Sequence, residues 1–458
     1  MITAIEIATA LQPALIRAPA VGPMRFRHAI VDSRKAGRGD IFIALVGENV
    51  DGHDYVAEAA RRGAAGAIVA HAVDADIAQY IVPSPLIALQ DLARLRRASR
   101  TKLKVIAVTG SVGKTTTKEL IAAVLATRYP VLKNEGNLNS EIGLPMVLLE
   151  ATTRHRRAVL EMGMWAEGEI ALLCDIAQPD IGVVTTVGPS HLERLGTMDA
   201  IEREKGELPA AVSEDGVIVL NADDERVARM TERSDASVIT YGLSPEADVR
   251  AEDIESHGLS GVKFTLVHGA EREAVYSHLP GRALVSNALA AAAVGLVDEL
   301  DLPDIAAALT AAQIPMRLAA HRGPNGSTIV DDSYNASPAS MHAALDLLAD
   351  VAGRKIAVLG DMRELGSAER EGHAEIGRHA AAVADTIYAV GDLGRWIGDA
   401  AIHAGAHDVH IVIDKSEIAP ALLPQLAPGD VVLLKASRAL ALETVLRELC
   451  GEAEGATP

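Results

Sequence analysis

Cysteine is scarce: the 458 residues hold two, Cys174 and Cys450. They lie far apart and match no zinc or redox spacing, which excludes a disulfide scaffold and points to a reducing compartment. Aromatic residues make up only 3%, so the cores must be built from Val, Leu, Ile and Ala. Basic excess is missing too. A net charge of −19 argues against a broad nucleic-acid or anionic-membrane surface, because such partners attract basic faces. A small anionic ligand needs only a local positive site. The longest apolar run, Ala288–Val297, falls far short of the ~20 residues that cross a bilayer. No basic segment followed by an apolar stretch opens the chain, so no signal peptide is expected. These absences together predict a cytoplasmic protein without membrane insertion.

What is present is ordinary for a folded protein: 49% hydrophobic and 23% charged residues, a balance that excludes general disorder. At ~100–200 residues per domain, the length suggests about three domains. Short apolar runs recur between helical patterns. VIAV (Val105–Val108), AVLEM (Ala158–Met162), IGVVTTV (Ile181–Val187) and GVIVLNA (Gly216–Ala222) are continuous rather than alternating. That pattern predicts strands buried on both faces of a mostly parallel sheet, hence an α/β fold. The boundaries read as 1–103, 104–314 and 315–458. The basic stretch Arg94–Lys104 reads as a solvated helix end and linker, and Pro315–Leu318 as a hinge.

The strongest local signal is VIAVTGSVGKTTTKEL, Val105–Leu120. A buried strand enters a Gly-rich turn and a helix follows, so Thr109, Gly110, Ser111, Val112, Gly113, Lys114, Thr115 and Thr116 are expected to cradle phosphates. Lys114 is placed to reach the β- and γ-phosphates and Thr115 to ligate magnesium. The general motif has Gly five positions before Gly113; here that position is Val108. Glu161, at the end of the next strand, and His191, after another, are the metal-ligand candidates beside the loop. Lys205 follows about one helix later.

With these blocks the sequence resembles the Mur ligase family, the ATP-dependent ligases that build the cell-wall peptide. The resemblance covers nearly the whole chain. It is carried by VDSRKAGRGDIFIALVGENVDGHDY (Val31–Tyr55), TGSVGKTTTKE, GNLNSEIGLP (Gly136–Pro145), EMG, GPSHLE, KGE, NADD (Asn221–Asp224) and NALAAAA (Asn287–Ala293). In the last third it is carried by DDSYNASPASM (Asp331–Met341), LGDMRELG (Leu359–Gly366) and KASRALALE (Lys435–Glu443). The resemblance implies three α/β domains: one binding a UDP-sugar, a central P-loop ATPase domain, and a Rossmann-like C-terminal domain. DDSYNA, LGDM-x-ELG and the lack of an Asn-Pro-Arg motif resemble the branch that adds D-alanyl-D-alanine to UDP-MurNAc-tripeptide through an acyl phosphate. A sister ligase adding one amino acid, or a nucleotide-binding scaffold without catalysis, is the alternative.

Residue by residue, the resemblance implies ATP and Mg2+ as cofactors. Lys114, His191, Lys205 and Arg317 would be catalytic, and Thr115, Glu161 and His191 would hold the metal. Lys205 would join them if carbamylated; an unmodified Lys205 contacting phosphate or substrate is the alternative. Asn287 would contact adenine, Asp332 the ribose and Arg317 the γ-phosphate. Ser33, Arg34, Gly52 and His53 would meet the UDP moiety, Asn137 and Asn139 the substrate or phosphates, and Asn335 the dipeptide. Lys435 and Arg438 would serve the dipeptide site or a domain interface. Small-molecule substrates and a monomer are expected, and closure of the third domain on the second should be needed for chemistry. Two segments depart from the family pattern. Met164, Trp165 and Ala166 stand where Asn or His is common, and Ala283 and Leu284 replace the His and Asn that usually precede the adenine contact.

Overall fold

The computed structural model describes residues 1–12, 14–19, 24–190, 192–314 and 318–451. Two expected site residues, His191 and Arg317, lie outside these. The N-terminal part pairs β1 (Ile2–Thr3) with β2 (Arg25–Phe26) antiparallel. Next to it lies a parallel sheet of β3 (Ala29–Ile30), β4 (Ile41–Ile43), β5 (Gly66–Val69) and β6 (Ala78–Ile81). The helix Pro85–Ala98 then leads into the middle of the chain. Ser84 caps it through the Ile87 amide, and a proline opens its first turn.

The central sheet has nine strands: β7 (Lys104–Thr109), β8 (Val131–Lys133), β9 (Arg157–Glu161), β10 (Ile181–Val184), β11 (Val217–Asn221), β12 (Ser237–Gly242), β13 (Val249–Ser256), β14 (Val262–His268) and β15 (Glu271–Ser277). Their spatial order is β15-β14-β13-β12-β11-β10-β7-β9-β8. All neighbours from β8 to β13 run parallel, and β13, β14 and β15 are antiparallel. The parallel part matches the expected buried strands. β7, β9 and β10 are buried almost throughout, so their runs cannot alternate. Helices Lys114–Ala126 and Ala283–Val297 pack together over one face. The poly-alanine stretch 290–293 is fully buried there, where small side chains allow close approach.

The C-terminal sheet comprises β16 (Ala319–Arg322), β17 (Thr328–Asp331), β18 (Lys355–Gly360), β19 (Thr386–Val390), β20 (Val409–Val412) and β21 (Val431–Lys435), in the order β16-β17-β21-β18-β19-β20. Only the β16 edge is antiparallel. Separate apolar clusters lie on its two faces. Among the described residues no helix is long and apolar enough to cross a membrane.

The stretch Arg94–Lys104 is not the solvated linker that its charge suggests. Arg96 is 3% exposed and donates to the carbonyls of Leu149, Ala151 and Met1 at 2.7, 3.3 and 3.0 Å. Arg97 donates to the carbonyls of Ala177 and Gln178 at 2.8 and 2.9 Å. All but the Met1 carbonyl lie at or just past the C-terminal ends of helices Gly143–Leu149 and Glu169–Ala177, whose last carbonyls lack intrahelical partners and favour a cation. Burial lowers both guanidinium pKa values, yet a guanidinium remains charged. The N-terminal domain is thereby pinned to the middle one. Arg96→Ala strands these carbonyls in the interior and is expected to cost about 2–4 kcal/mol, read as a lower denaturation midpoint in a urea titration. An unchanged midpoint would show that water replaces the guanidinium without loss.

Candidate active site

The phosphate loop begins where β7 ends. Gly110 has φ +143°, and a Cβ there would lie 2.0 Å from Thr185 Oγ1. Gly113 has φ +87°, and a Cβ would lie 2.5 Å from Asn287 Oδ1. Both positions therefore require glycine. The loop is tied to the segment after β10: Ser111 N donates to Thr186 O at 2.8 Å, and Thr185 Oγ1 donates to Val112 O at 2.6 Å. Lys114 Nζ folds back on the loop, donating to Gly110 O at 2.6 Å and Ser111 O at 3.2 Å. A 13-residue helix follows, with its N-terminal amides at the loop. The Thr109 side chain faces inward instead; it is fully buried and its hydroxyl donates to Met162 O.

Glu161 ends β9, the neighbour of β7, and is 2% exposed. Its Oε2 accepts from Thr115 Oγ1 and its Oε1 from Asn139 Nδ2, both at 2.8 Å. No described lysine or arginine forms an ion pair with it. A buried carboxylate without a countercharge is costly. A hydroxyl and a carboxylate side by side are hard oxygen donors of the kind Mg2+ takes, alongside phosphate oxygens and water. The residues thus fit the metal. Among the described residues there is no cluster of three or more His, Cys, Asp and Glu that would form an all-protein cage. Sequence reasoning missed Asn134. Fully buried, it accepts from Glu161 N at 2.9 Å and donates to Glu161 O at 3.0 Å, clamping the backbone beneath the carboxylate. Nothing distinguishes it in sequence from any loop asparagine.

Lys205 closes helix Met198–Lys205 and is 1% exposed. Its Nζ has no hydrogen bond or ion pair with any described residue. Burial, reinforced by the charge of Lys114, holds its pKa well below the usual lysine value. Beside it, Glu204 accepts from Gly168 N at 3.0 Å while its Oε2 is buried without a partner. Burial and nearby Glu207 push that carboxyl up to about 7.

The third domain completes the site. Asp332, just beyond β17, pairs with buried Lys435 at 2.5 Å, and Lys435 also donates to Asn335 O at 3.1 Å. Asp332, Asn335 and Lys435 line one cleft with Ser111–Thr116, Glu161 and Asn287. The middle and third domains thus face each other across this cleft. Asn137 reaches across as well: its Oδ1 accepts from Tyr334 OH at 2.5 Å. Arg438 pairs with Glu443 at 2.8 Å and lines a second cavity with Asn137, Tyr334 and Thr115. Asn287 accepts from Thr117 Oγ1 at 3.1 Å and stands over Gly113, so it bridges loop and helix at the cleft wall. Ala283 and Leu284 line the same wall.

In the first domain, Arg34 is exposed and held by Asp32 through two bonds of 2.9 Å. Ser33 Oγ donates to Glu58 at 3.2 Å. His53 is 4% exposed: Nδ1 lies 2.6 Å from Asp51 Oδ1 and Nε2 accepts from Ala70 N at 2.8 Å. A Cβ on Gly52 would come within 2.6 Å of Leu45 O. The close-packed backbone at Gly52 and the side chain of His53 build the turn. Both ring nitrogens are already used inside the protein.

The sequence matches three family domains: the Mur ligase family catalytic domain over residues 27–131, the Mur ligase middle domain over 108–295, and the Mur ligase glutamate ligase domain over 316–438. The chain belongs to the Mur ligase family. Curated relatives named UDP-N-acetylmuramoyl-tripeptide–D-alanyl-D-alanine ligase include that of Bacillus subtilis, 36% identical over 91% of this chain and 92% of the relative. That of Mycobacterium tuberculosis H37Rv is 38% identical over 92% and 91%. A crystal structure of MurF from Acinetobacter baumannii superposes with a TM-score of 0.90 at 34% identity, covering 98% of this chain and 99% of that one. MurF from Thermotoga maritima in complex with ADP gives 0.82 at 31%, covering 93% and 97%. The three-domain α/β architecture is thus that of the MurF members of the family.

Proposed function

We propose that the chain joins D-alanyl-D-alanine to the terminal carboxylate of UDP-MurNAc-tripeptide with hydrolysis of ATP, yielding the pentapeptide, ADP and phosphate. The observation that carries this reading is the single cleft built from the phosphate loop, Glu161 and the third-domain residues Asp332, Asn335 and Lys435. A carboxylate is a poor electrophile; phosphorylation makes one of its oxygens a leaving group. In this reading Lys114 and the loop amides hold the triphosphate, and Arg317 would meet the γ-phosphate. Two anions must approach each other, so fixed positive charge is the main contribution of the site. Thr115, Glu161 and His191 would hold Mg2+, which supplies charge neutralisation at the phosphates. Asn287 and Asp332 would hold adenine and ribose. Asn137, Asn139 and Asn335 would position the peptide substrates, and Ser33 and Arg34 the UDP moiety. The domains are assigned as residues 1–103, 104–314 and 315–458. A cytoplasmic monomer fits the small-molecule substrates.

The chemistry has an isotopic signature. With 18O in the tripeptide's terminal carboxylate, one labelled oxygen should appear in the released phosphate. Phosphate without label, from an active enzyme, would exclude the acyl phosphate.

Lys205 is proposed as a carbamate. A buried amine kept neutral is nucleophilic, and adding carbon dioxide with loss of a proton would give an anion beside the metal ligands. Enzyme equilibrated with 13C-bicarbonate should show a carbamate carbonyl resonance that Lys205→Gln lacks. Active wild-type enzyme without that resonance would leave Lys205 as an unmodified contact.

A further inference from the structure

One exposed cation in a loop next to the strand that feeds the phosphate loop takes no part in the reading above. Arg194 lies in helix Leu192–Leu195, in the segment that follows β10, and is exposed. Its guanidinium carbon stands 3.8 Å from the ring centroid of Trp165, in the segment that follows β9. Trp165 is 50% exposed and is one of the positions where the chain departs from the family pattern. Arg194 forms no hydrogen bond or ion pair with any described residue. β9 and β10 are the two neighbours of β7, the strand that feeds the phosphate loop. The Trp165–Arg194 pair therefore joins the loops on either side of the phosphate loop. Trp165 is four residues past Glu161, so its Cα lies at most about 14 Å from that of Glu161. The third domain docks on the same helix: Glu193 N donates to Glu364 O at 3.1 Å, and a Cβ on Gly366 would lie 3.0 Å from Glu193 Cα.

We propose that Arg194, held on the Trp165 indole, binds a second carboxylate, at the far end of the third residue's side chain in the peptide substrate, and so selects a diamino dicarboxylic acid over lysine at that position. This rests on the ligase reading above. The reacting carboxylate has to sit at the γ-phosphate, beside Lys114 and Thr115. The side chain of the same residue then extends from the reaction centre past the loops that wall it. A methylene chain can lie on an indole face. Stacking fixes the guanidinium plane and leaves its N–H edges outward, where they suit a carboxylate bidentately. A lysine side chain would present an ammonium to this cation and be disfavoured.

The test is phosphate release with D-alanyl-D-alanine and UDP-MurNAc-tripeptides ending in diaminopimelate or lysine, for wild type and Arg194→Gln. The wild type should favour the diaminopimelate peptide about 10- to 100-fold in kcat/KM, the value of one charge-assisted bidentate contact. Arg194→Gln should lose that preference through a higher KM for the diaminopimelate peptide, with the lysine peptide unchanged. Arg194→Lys should retain part of the preference. An equal loss on both peptides would overturn the proposal, since the contact would be to a group they share or would be structural. Wild type without preference, or favouring lysine, would overturn it too. If wild type turned over neither peptide, the ligase reading itself would fail.

Discussion

Lys114→Ala lowers kcat/KM for phosphate release by at least about 10²–10³-fold, the cost of removing one preorganised electrostatic contact to a transition state. The variant should still fold. Lys114 and Ser111 are half-buried, so of the two carbonyls that Lys114 bonds, only that of buried Gly110 loses its partner in the interior. The loop keeps its other ties, from Ser111 and Val112 to Thr186 and Thr185. The loss should fall mainly on kcat, because loop amides still bind ATP while the charge that develops on the transferring phosphoryl group loses its partner. Circular dichroism and thermal melting check the fold; steady-state kinetics check the loss. A folded variant within tenfold of wild type would remove Lys114 from the chemistry.

Glu161→Gln is the second large effect. The side chain is almost isosteric and keeps its neighbours: the amide oxygen accepts from Asn139, and the amide nitrogen donates to the Thr115 hydroxyl. Stability should hold or rise, because a buried carboxylate without a cationic partner is removed. Activity should fall about 10²–10³-fold, with a magnesium requirement shifted to higher concentration, because the buried carboxylate that accepts from the Thr115 hydroxyl is gone. Magnesium titrations of phosphate release read both effects. Wild-type activity with an unshifted magnesium dependence would mean that Glu161 holds the loop and not the metal.

How much of this was legible in the sequence differs by part. The phosphate loop was, because strand, glycines, lysine and helix start are local and ordered. The structure adds why the glycines sit there: Thr185 and Asn287 fill the space a side chain would need. Glu161 was legible as a carboxylate at a strand end, but its backbone clamp, Asn134, is 27 residues away and carries no pattern. Asp332 and Asn335 were legible through their motif, whereas the Asp332–Lys435 pair spans 103 residues of sequence. Charge misled at Arg96 and Arg97, since a helix C-terminus on another element is a partner composition does not reveal. His53 could be read only as a polar residue in a turn motif; that its ring nitrogens bond Asp51 and Ala70 is not visible in sequence. The antiparallel strands β14 and β15 were missed because they alternate, as in VKFTLVH, and so lack the continuous apolar runs of the buried strands.

The measurement that tests the central claim most directly is phosphate release from ATP and magnesium, with each peptide substrate omitted in turn. The cleft between the middle and third domains predicts release only when UDP-MurNAc-tripeptide and D-alanyl-D-alanine are both present, together with a product heavier by the dipeptide. Release with a shorter UDP-MurNAc-peptide and a free amino acid, or none with any pair from folded protein that binds ATP, would contradict it.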